Sequence, residues 1–369
     1  TSPEAPHLYH IGDYYYLMIA EGGTEHYHSV CVARSKDIFG FYEGNPANPV
    51  MTHRHMGYTC PIINVGHADF VELPDGSWYA VMLASRLIDK AYKNLGRETF
   101  ICPVVWERGW PLFSPESGKV EWEYDAPECL PWTEVPKKQE VYDFDEETLG
   151  MEWVFWGTPR KQFYLIQDSK LSIQCLPQSL AEDLRPMSMD AAEKKWDYAP
   201  MLAQRQCSID TTISCQMHFY PKGQESAGLA VIQAMNHQMH LERAVSKGHQ
   251  VLRFVAVTAE YDRPPYFLGF TSETSKEVLA EVTWDAEEIV LQIEIVGERF
   301  AVKYGADKEL LQELCVADGA KINPEKVGCM SGTILGMFAS GNGCNSENHA
   351  DFDWFECCDK NAVINSKEL

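Results

Sequence analysis

No stretch of this 369-residue chain holds the roughly 18 consecutive apolar residues of a membrane-spanning helix, so no membrane partner is expected. Positive charge is scarce: 31 Lys and Arg stand against 54 Asp and Glu, a net charge of −23. Phosphates would be repelled rather than neutralised, which argues against nucleic acid and anionic lipid and favours a neutral ligand. The 12 cysteines include no paired C-x-x-C arrangement of a zinc site. Cys357 and Cys358 are adjacent, which is poor geometry for a mutual disulfide. There is no N-x-[ST] glycosylation site. Both observations lean toward a reducing interior, hence a cytoplasmic location. His26 and His28, and His53 and His55, form H-x-H pairs without carboxylate or cysteine neighbours at fixed offsets. They read as surface-loop histidines rather than a metal site. The chain opens on Thr1-Ser2-Pro3-Glu4, without an initiator Met or an apolar leader.

Helical periodicity is also scarce, its best stretch being the short segment 189–195. What fills the chain is strand sequence: short runs of Val, Ile, Tyr, Phe and Trp cut by turn residues. "PHLYHIGDYYYLMIA" turns at Gly12-Asp13, and "ADFVELPDGSWYAVMLAS" repeats the plan around Asp75-Gly76. Further strands follow each hairpin, "SVCVARS" and "TFICPVVWERGW". About four strands per repeat is the pattern of propeller blades. A linker with two prolines and no strand pattern lies at 131–139, "PWTEVPKKQ". Beyond it come many closely spaced strands, among them "TTISCQMHFY", "YFLGFTS" and a hairpin turning at Gly297-Glu298. That density argues for a β-sandwich. The expected fold is all-β: a partial β-propeller over 1–136, then a β-sandwich over 140–358.

Three spots carry chemistry. Glu4 stands between Pro3 and Pro6, which restrict the backbone and would hold its carboxylate in place, as a general acid requires. His67, in "NVGHADF", begins the second repeat, where an innermost propeller strand would face the axis; it could bind a metal or water, or orient a carboxylate. Arg97, in "NLGRETF", offers a fork of donors to a sugar hydroxyl or a carboxylate. Each has a bland alternative: a solvated terminal charge, a structural histidine, and a surface salt bridge.

The order and spacing of these spots resemble family 43 glycoside hydrolases. The resemblance lies in "EAPHLYHIGDYYYLMIAEGGTEHYHSVCVARS", "VGHADFVELPDGSWYAVML" and "LGRETFICPVVWERGWPLF". It continues through "DFDEETLGMEWVFWGTP", "SGTILGMFASGNG" and "ADFDWFEC". It implies a five-bladed propeller followed by a concanavalin-like (jelly-roll) sandwich, in a β-xylosidase or α-L-arabinofuranosidase. It also implies that Glu4 is the general acid, that Arg97 contacts substrate, and that His67 is the axial histidine. No cofactor is required; Ca2+ at the axis, with His67 as a ligand, is the one ion the resemblance allows.

The two further aspartates of the family, a general base and a residue tuning the acid, precede the E-[AG]-P-H motif. Only three residues precede Glu4, so no position here receives either role. The base is therefore expected on a missing N-terminal segment, and an N-terminal propeller fragment or a homo-oligomer is an expected partner. The family's sandwich loop that closes the site with an aromatic residue corresponds to 328–331, which holds none. The expected activity is inverting hydrolysis of terminal xylosyl or arabinofuranosyl units from xylo- or arabino-oligosaccharides. The alternative is a non-catalytic carbohydrate-binding or remnant protein.

Overall fold

The computed structural model describes residues 2–57, 59–88, 92–134, 138–181, 198–261, 272–327 and 331–360. The expected helix at 189–195, and nearly all of the expected strand at 266–272, lie outside them. The chain divides into two compact units, Thr1–Pro136 and Lys137–Val363.

The first unit is two four-stranded antiparallel sheets, each laid out in chain order. The first sheet is β1 (Glu4–Ile11), β2 (Tyr14–Glu21), β3 (Ser29–Ser35) and β4 (Glu43–Gly44). The second is β5 (Ile62–Glu72), β6 (Trp78–Arg86), β7 (Glu98–Glu107) and β8 (Trp110–Phe113). These are two propeller blades. The first hairpin turns at Gly12-Asp13, with Ile11 opposite Tyr14. In the second, Asp75 Oδ1 accepts the backbone N–H and the hydroxyl of Ser77.

Strand alternation decides which side chains fill the space between the blades. Tyr16 and Met18 of β2, and Val30 and Val32 of β3, share one buried cluster with Val65, Ala68 and Phe70 of β5. At the rim, Arg34 lies over the ring of Trp110 at 4.0 Å and donates to the Gly109 carbonyl at 2.7 Å. Tyr16 donates its hydroxyl to the same carbonyl.

The second unit holds β9 (Val141–Tyr142), β10 (Val154–Gly157), β11 (Tyr164–Gln167), β12 (Lys170–Gln174), β13 (Tyr198–Arg205), β14 (Asp210–His218) and β15 (Ser226–Ala234). It continues with β16 (His237–Ser246), β17 (His249–Tyr261), β18 (Ser272–Thr283), β19 (Glu288–Val296) and β20 (Arg299–Gly305). It ends with β21 (Gln312–Asp318), β22 (Ile334–Ser340) and β23 (His349–Asp359). One sheet runs β10-β13-β22-β15-β16-β17-β18, the other β11-β12-β23-β14-β19-β20-β21, with β9 beside β23. Leu229, Leu241 and Phe254 of the first share a core with Ile213, Leu291 and Phe352 of the second. The hairpin at Gly297-Glu298 is present, Val296 facing Arg299.

Two strands of this sandwich are covered on both faces for most of their length. β15 is buried on both faces, and β16 is buried over its first eight residues. On β16 the face away from the core bears Gln238, His240 and Glu242. Glu242 is almost wholly buried, and its Oε1 accepts from Arg253 Nη2 at 2.7 Å. Burial by itself would raise Glu242, but Lys276 and Arg253 hold its carboxyl well below the usual range.

Candidate active site

β1 and β5, the first strands of the two blades, both leave regular geometry where the sequence places functional residues. In β1 the pairing goes from Glu4–Ala20 directly to His7–Met18. The bulged Ala5 takes a left-handed backbone, φ 49°. A left-handed alanine before a proline is costly, and the cost is accepted where it aims a side chain. In β5 the register shifts twice, between Ile63 and Gly66 and between Gly66 and Asp69. Asn64 and His67 are left-handed there, φ 60° and 53°. Glu4 and His67 are both exposed at these irregular positions.

Arg97 precedes β7 and is exposed. Its neighbour Glu98 is engaged elsewhere: Arg86 Nε and Nη2 each donate to it at 2.7 Å. The salt-bridge alternative for Arg97 therefore does not hold through Glu98.

One buried histidine links the three. His28 lies in electrostatic reach of Glu4, His67 and Arg97. Its ring rests on Gly66: a Cβ there would meet three ring atoms at 2.6 Å. This explains the glycine before His67. Nδ1 is 2.8 Å from the Asn64 carbonyl and must carry the hydrogen, which leaves Nε2 as an acceptor. Nε2 is buried with no partner among the described residues. Burial lowers the pKa of His28, and Arg97 and His67 act in the same direction, so the ring is neutral.

The loop from β2 to β3 that delivers His28 is tightly built. At Gly22, φ 87°, a Cβ would lie 2.0 Å from the Tyr27 carbonyl oxygen, so only glycine fits. Glu25 of this loop accepts from Lys93 at 2.6 Å. Lys93 lies in the segment that leads to Arg97, so the ion pair ties the His28 loop to the Arg97 loop. Thr24 Oγ1 is buried here without a partner among the described residues. Tyr27 stands 67% exposed beside it.

The surface-loop reading of the H-x-H pairs is corrected for one member of each pair. His28 and His53 are buried. His53 Nδ1 contacts the Ile62 carbonyl at 2.8 Å, and Nε2 accepts the Val120 N–H at 2.9 Å. That role is structural. The signal for His28 was present in the sequence only as its partner glycine, thirty-eight positions on, and no local pattern connects them. Among the described residues no group of three or more His, Cys, Asp or Glu side chains gathers to hold a metal. Calcium takes about six to eight oxygens, so the residues around His67 do not themselves form a calcium cage. Of the sandwich loop at 328–331, only Ser331 lies among the described residues.

Known proteins resemble this chain in sequence and fold. The glycosyl hydrolases family 43 model matches residues 1–111. The model of the beta xylosidase C-terminal concanavalin A-like domain matches residues 141–357. A non-reducing end alpha-L-arabinofuranosidase of Bacteroides ovatus is 34% identical over 365 residues, 96% of this chain and 62% of that protein. A xylosidase/arabinosidase of Butyrivibrio fibrisolvens is 35% identical over 358 residues, 96% of this chain and 64% of that protein. Among solved structures, one described as Bacteroides ovatus Xyloglucan PUL GH43B superposes with a TM-score of 0.82 at 33% identity, covering 97% of this chain and 66% of that one. A xylan beta-1,4-xylosidase from Bacillus halodurans superposes with a TM-score of 0.82 at 25% identity, covering 97% and 65%. The chain thus spans under two thirds of the length of the curated relatives it matches. The chain belongs to the family 43 glycosyl hydrolases and carries that family's beta xylosidase C-terminal domain as its second unit.

Proposed function

We propose that this chain supplies the acid side of an inverting glycoside hydrolase. The enzyme would remove terminal xylosyl or arabinofuranosyl units from xylo- or arabino-oligosaccharides. The exposed Glu4 and His67 at the bulged stretches of β1 and β5, with Arg97, all within electrostatic reach of the buried His28, carry this reading. The names of the relatives support the substrate class.

In this reading Glu4 gives its proton to the leaving glycosidic oxygen. Arg97 donates to sugar hydroxyls, and His67 orients the pocket from β5. The unpartnered atoms His28 Nε2 and Thr24 Oγ1 are well suited to polar groups of a bound sugar or its waters. Inversion needs a second carboxylate about 6.5–9.5 Å from the acid, to activate water on the opposite face of the ring. None within Thr1–Leu369 is assigned to that task, so the reading requires one from outside these residues, on an N-terminal propeller segment or a second chain. Ca2+ near His67 would have to be held largely by waters and backbone oxygens. A reducing compartment is part of the reading, on the sequence grounds that no N-x-[ST] site is present and that Cys357 and Cys358 are adjacent.

The experiment is hydrolysis of p-nitrophenyl β-xyloside and α-L-arabinofuranoside by the purified chain, alone and with an N-terminal segment of a family relative added in trans. Turnover that appears in either case and is lost in Glu4→Gln supports the acid assignment. Turnover that survives Glu4→Gln overturns it. A folded chain that binds sugar yet stays inactive in both cases is the carbohydrate-binding alternative.

A further inference from the structure

Asp69 of β5 is shared by two side chains of β1. Its Oδ1 accepts the phenol hydrogen of Tyr9 and lies 3.4 Å from His7 Nδ1. The Tyr9 oxygen in turn accepts the backbone N–H of Phe70 at 3.1 Å. The Tyr9 and Phe70 rings meet at 5.2 Å. β1 and β5 belong to different sheets, so no backbone ladder joins them. Apart from the Phe70 N–H, side chains make this clasp.

Its position along each strand is specific. His7 is the first residue of β1 back in register after the bulge at Ala5 and Pro6, on whose other side Glu4 makes the one remaining pair, with Ala20. Asp69 is the first residue of β5 back in register after the bulge that carries His67. A bulge interrupts the ladder and bends the strand, so the regular ladder beyond it does not by itself set the direction of a residue in it, such as His67, or at its edge, such as Glu4. The nearest anchored residue on each strand must do so. Here the two anchors touch each other.

We propose that His7 and Asp69 are positioning residues. Their contact sets the spacing between the Glu4 side and the His67 side of the site, and so aims the Glu4 carboxyl at the leaving oxygen. Neither touches the reacting atoms. The inference rests on the reading of Glu4 as the general acid.

The test compares two glycosides of one sugar: the plain disaccharide, whose leaving group needs a proton, and the 2,4-dinitrophenyl glycoside, whose leaving group does not. It is run under whichever condition gives wild-type turnover. His7→Phe and Asp69→Ala should lower kcat/KM on the disaccharide by about 10- to 100-fold, the usual cost of a misplaced acid, and on the dinitrophenyl glycoside by less than about 3-fold. His7→Asn places an amide N–H near the lost Nδ1 and should recover most of the difference. Equal losses on both substrates, or no loss in folded variants, overturn the proposal. Should His7→Phe fail to fold, Asp69→Ala at its half-exposed site carries the same comparison.

If the wild type turns over neither substrate, the hydrolase reading fails separately. The clasp is then judged by the 13C signal of the Glu4 carboxyl, assigned with Glu4→Gln. A displaced signal in Asp69→Ala supports the positioning role, and an unmoved one overturns it.

Discussion

The imidazole of His28 lies flat on the backbone of Gly66, with no room for a methyl group between them. Gly66→Ala should therefore destabilise the first unit by about 1–3 kcal/mol, the usual cost of overpacking a filled interior. It should also push His28 away from the Asn64 carbonyl. Urea unfolding measures the first effect, and the imidazole 15N shifts of His28 report the second. A neutral substitution would mean that the ring and β5 are not in contact.

The Glu25–Lys93 ion pair joins two loops that bear site residues. Its contribution to stability should be small, about 1 kcal/mol or less, because Glu25 is partly exposed to solvent. Its effect on the site should be larger. Lys93→Met is expected to weaken sugar binding, read by calorimetry or as a raised KM, with little change in kcat. A change in kcat alone would contradict a role in holding the two loops together.

In the sandwich, the buried Glu242 depends on its cations. Arg253→Met should cost about 3–5 kcal/mol, because it strips the main partner from a buried carboxylate. The double variant Arg253→Met with Glu242→Met should recover much of that loss, since apolar side chains can replace a buried pair at little net cost. Denaturant unfolding of the two variants side by side decides the point.

The stability of the chain should fall in mild acid. Burial pushes His237 and His240 down to about 4, from the ordinary 6.5. A histidine held neutral in the fold binds its proton more weakly than in the unfolded chain. As pH falls from about 6.5 toward 4, the unfolded state takes up protons first, and folding loses stability with each one. The contribution is full above 6.5 and is lost by about 4, at up to roughly 3 kcal/mol for His237. Melting temperatures across this range should drop more steeply in the wild type than in His237→Gln.

Much of the architecture is legible along the chain. The hairpins at Gly12-Asp13 and Gly297-Glu298 announce themselves because a two-residue turn must be built from residues adjacent in sequence. β3 coincides with the run "SVCVARS", because a strand with one buried face writes its alternation into the sequence. β13 and β16 hide their burial in different ways. β13 is buried along almost its whole length, so its pattern is continuous. β16 buries polar side chains that read as surface until their partners on other strands are known.

The site divides along the same line. Sequence by itself determined the all-β composition, the blade and sandwich strand patterns, and the motifs that single out Glu4, His67 and Arg97. Those are properties of residues close together in the chain. Only the tertiary structure decided that the three lie within electrostatic reach of a buried, neutral His28. It also decided that Glu98 belongs to Arg86, and that Asp69 clasps His7 and Tyr9. Each of these relations joins residues on different strands or loops. Burial, charge pairing and close approach depend on distance through space, and no periodicity along a chain encodes it.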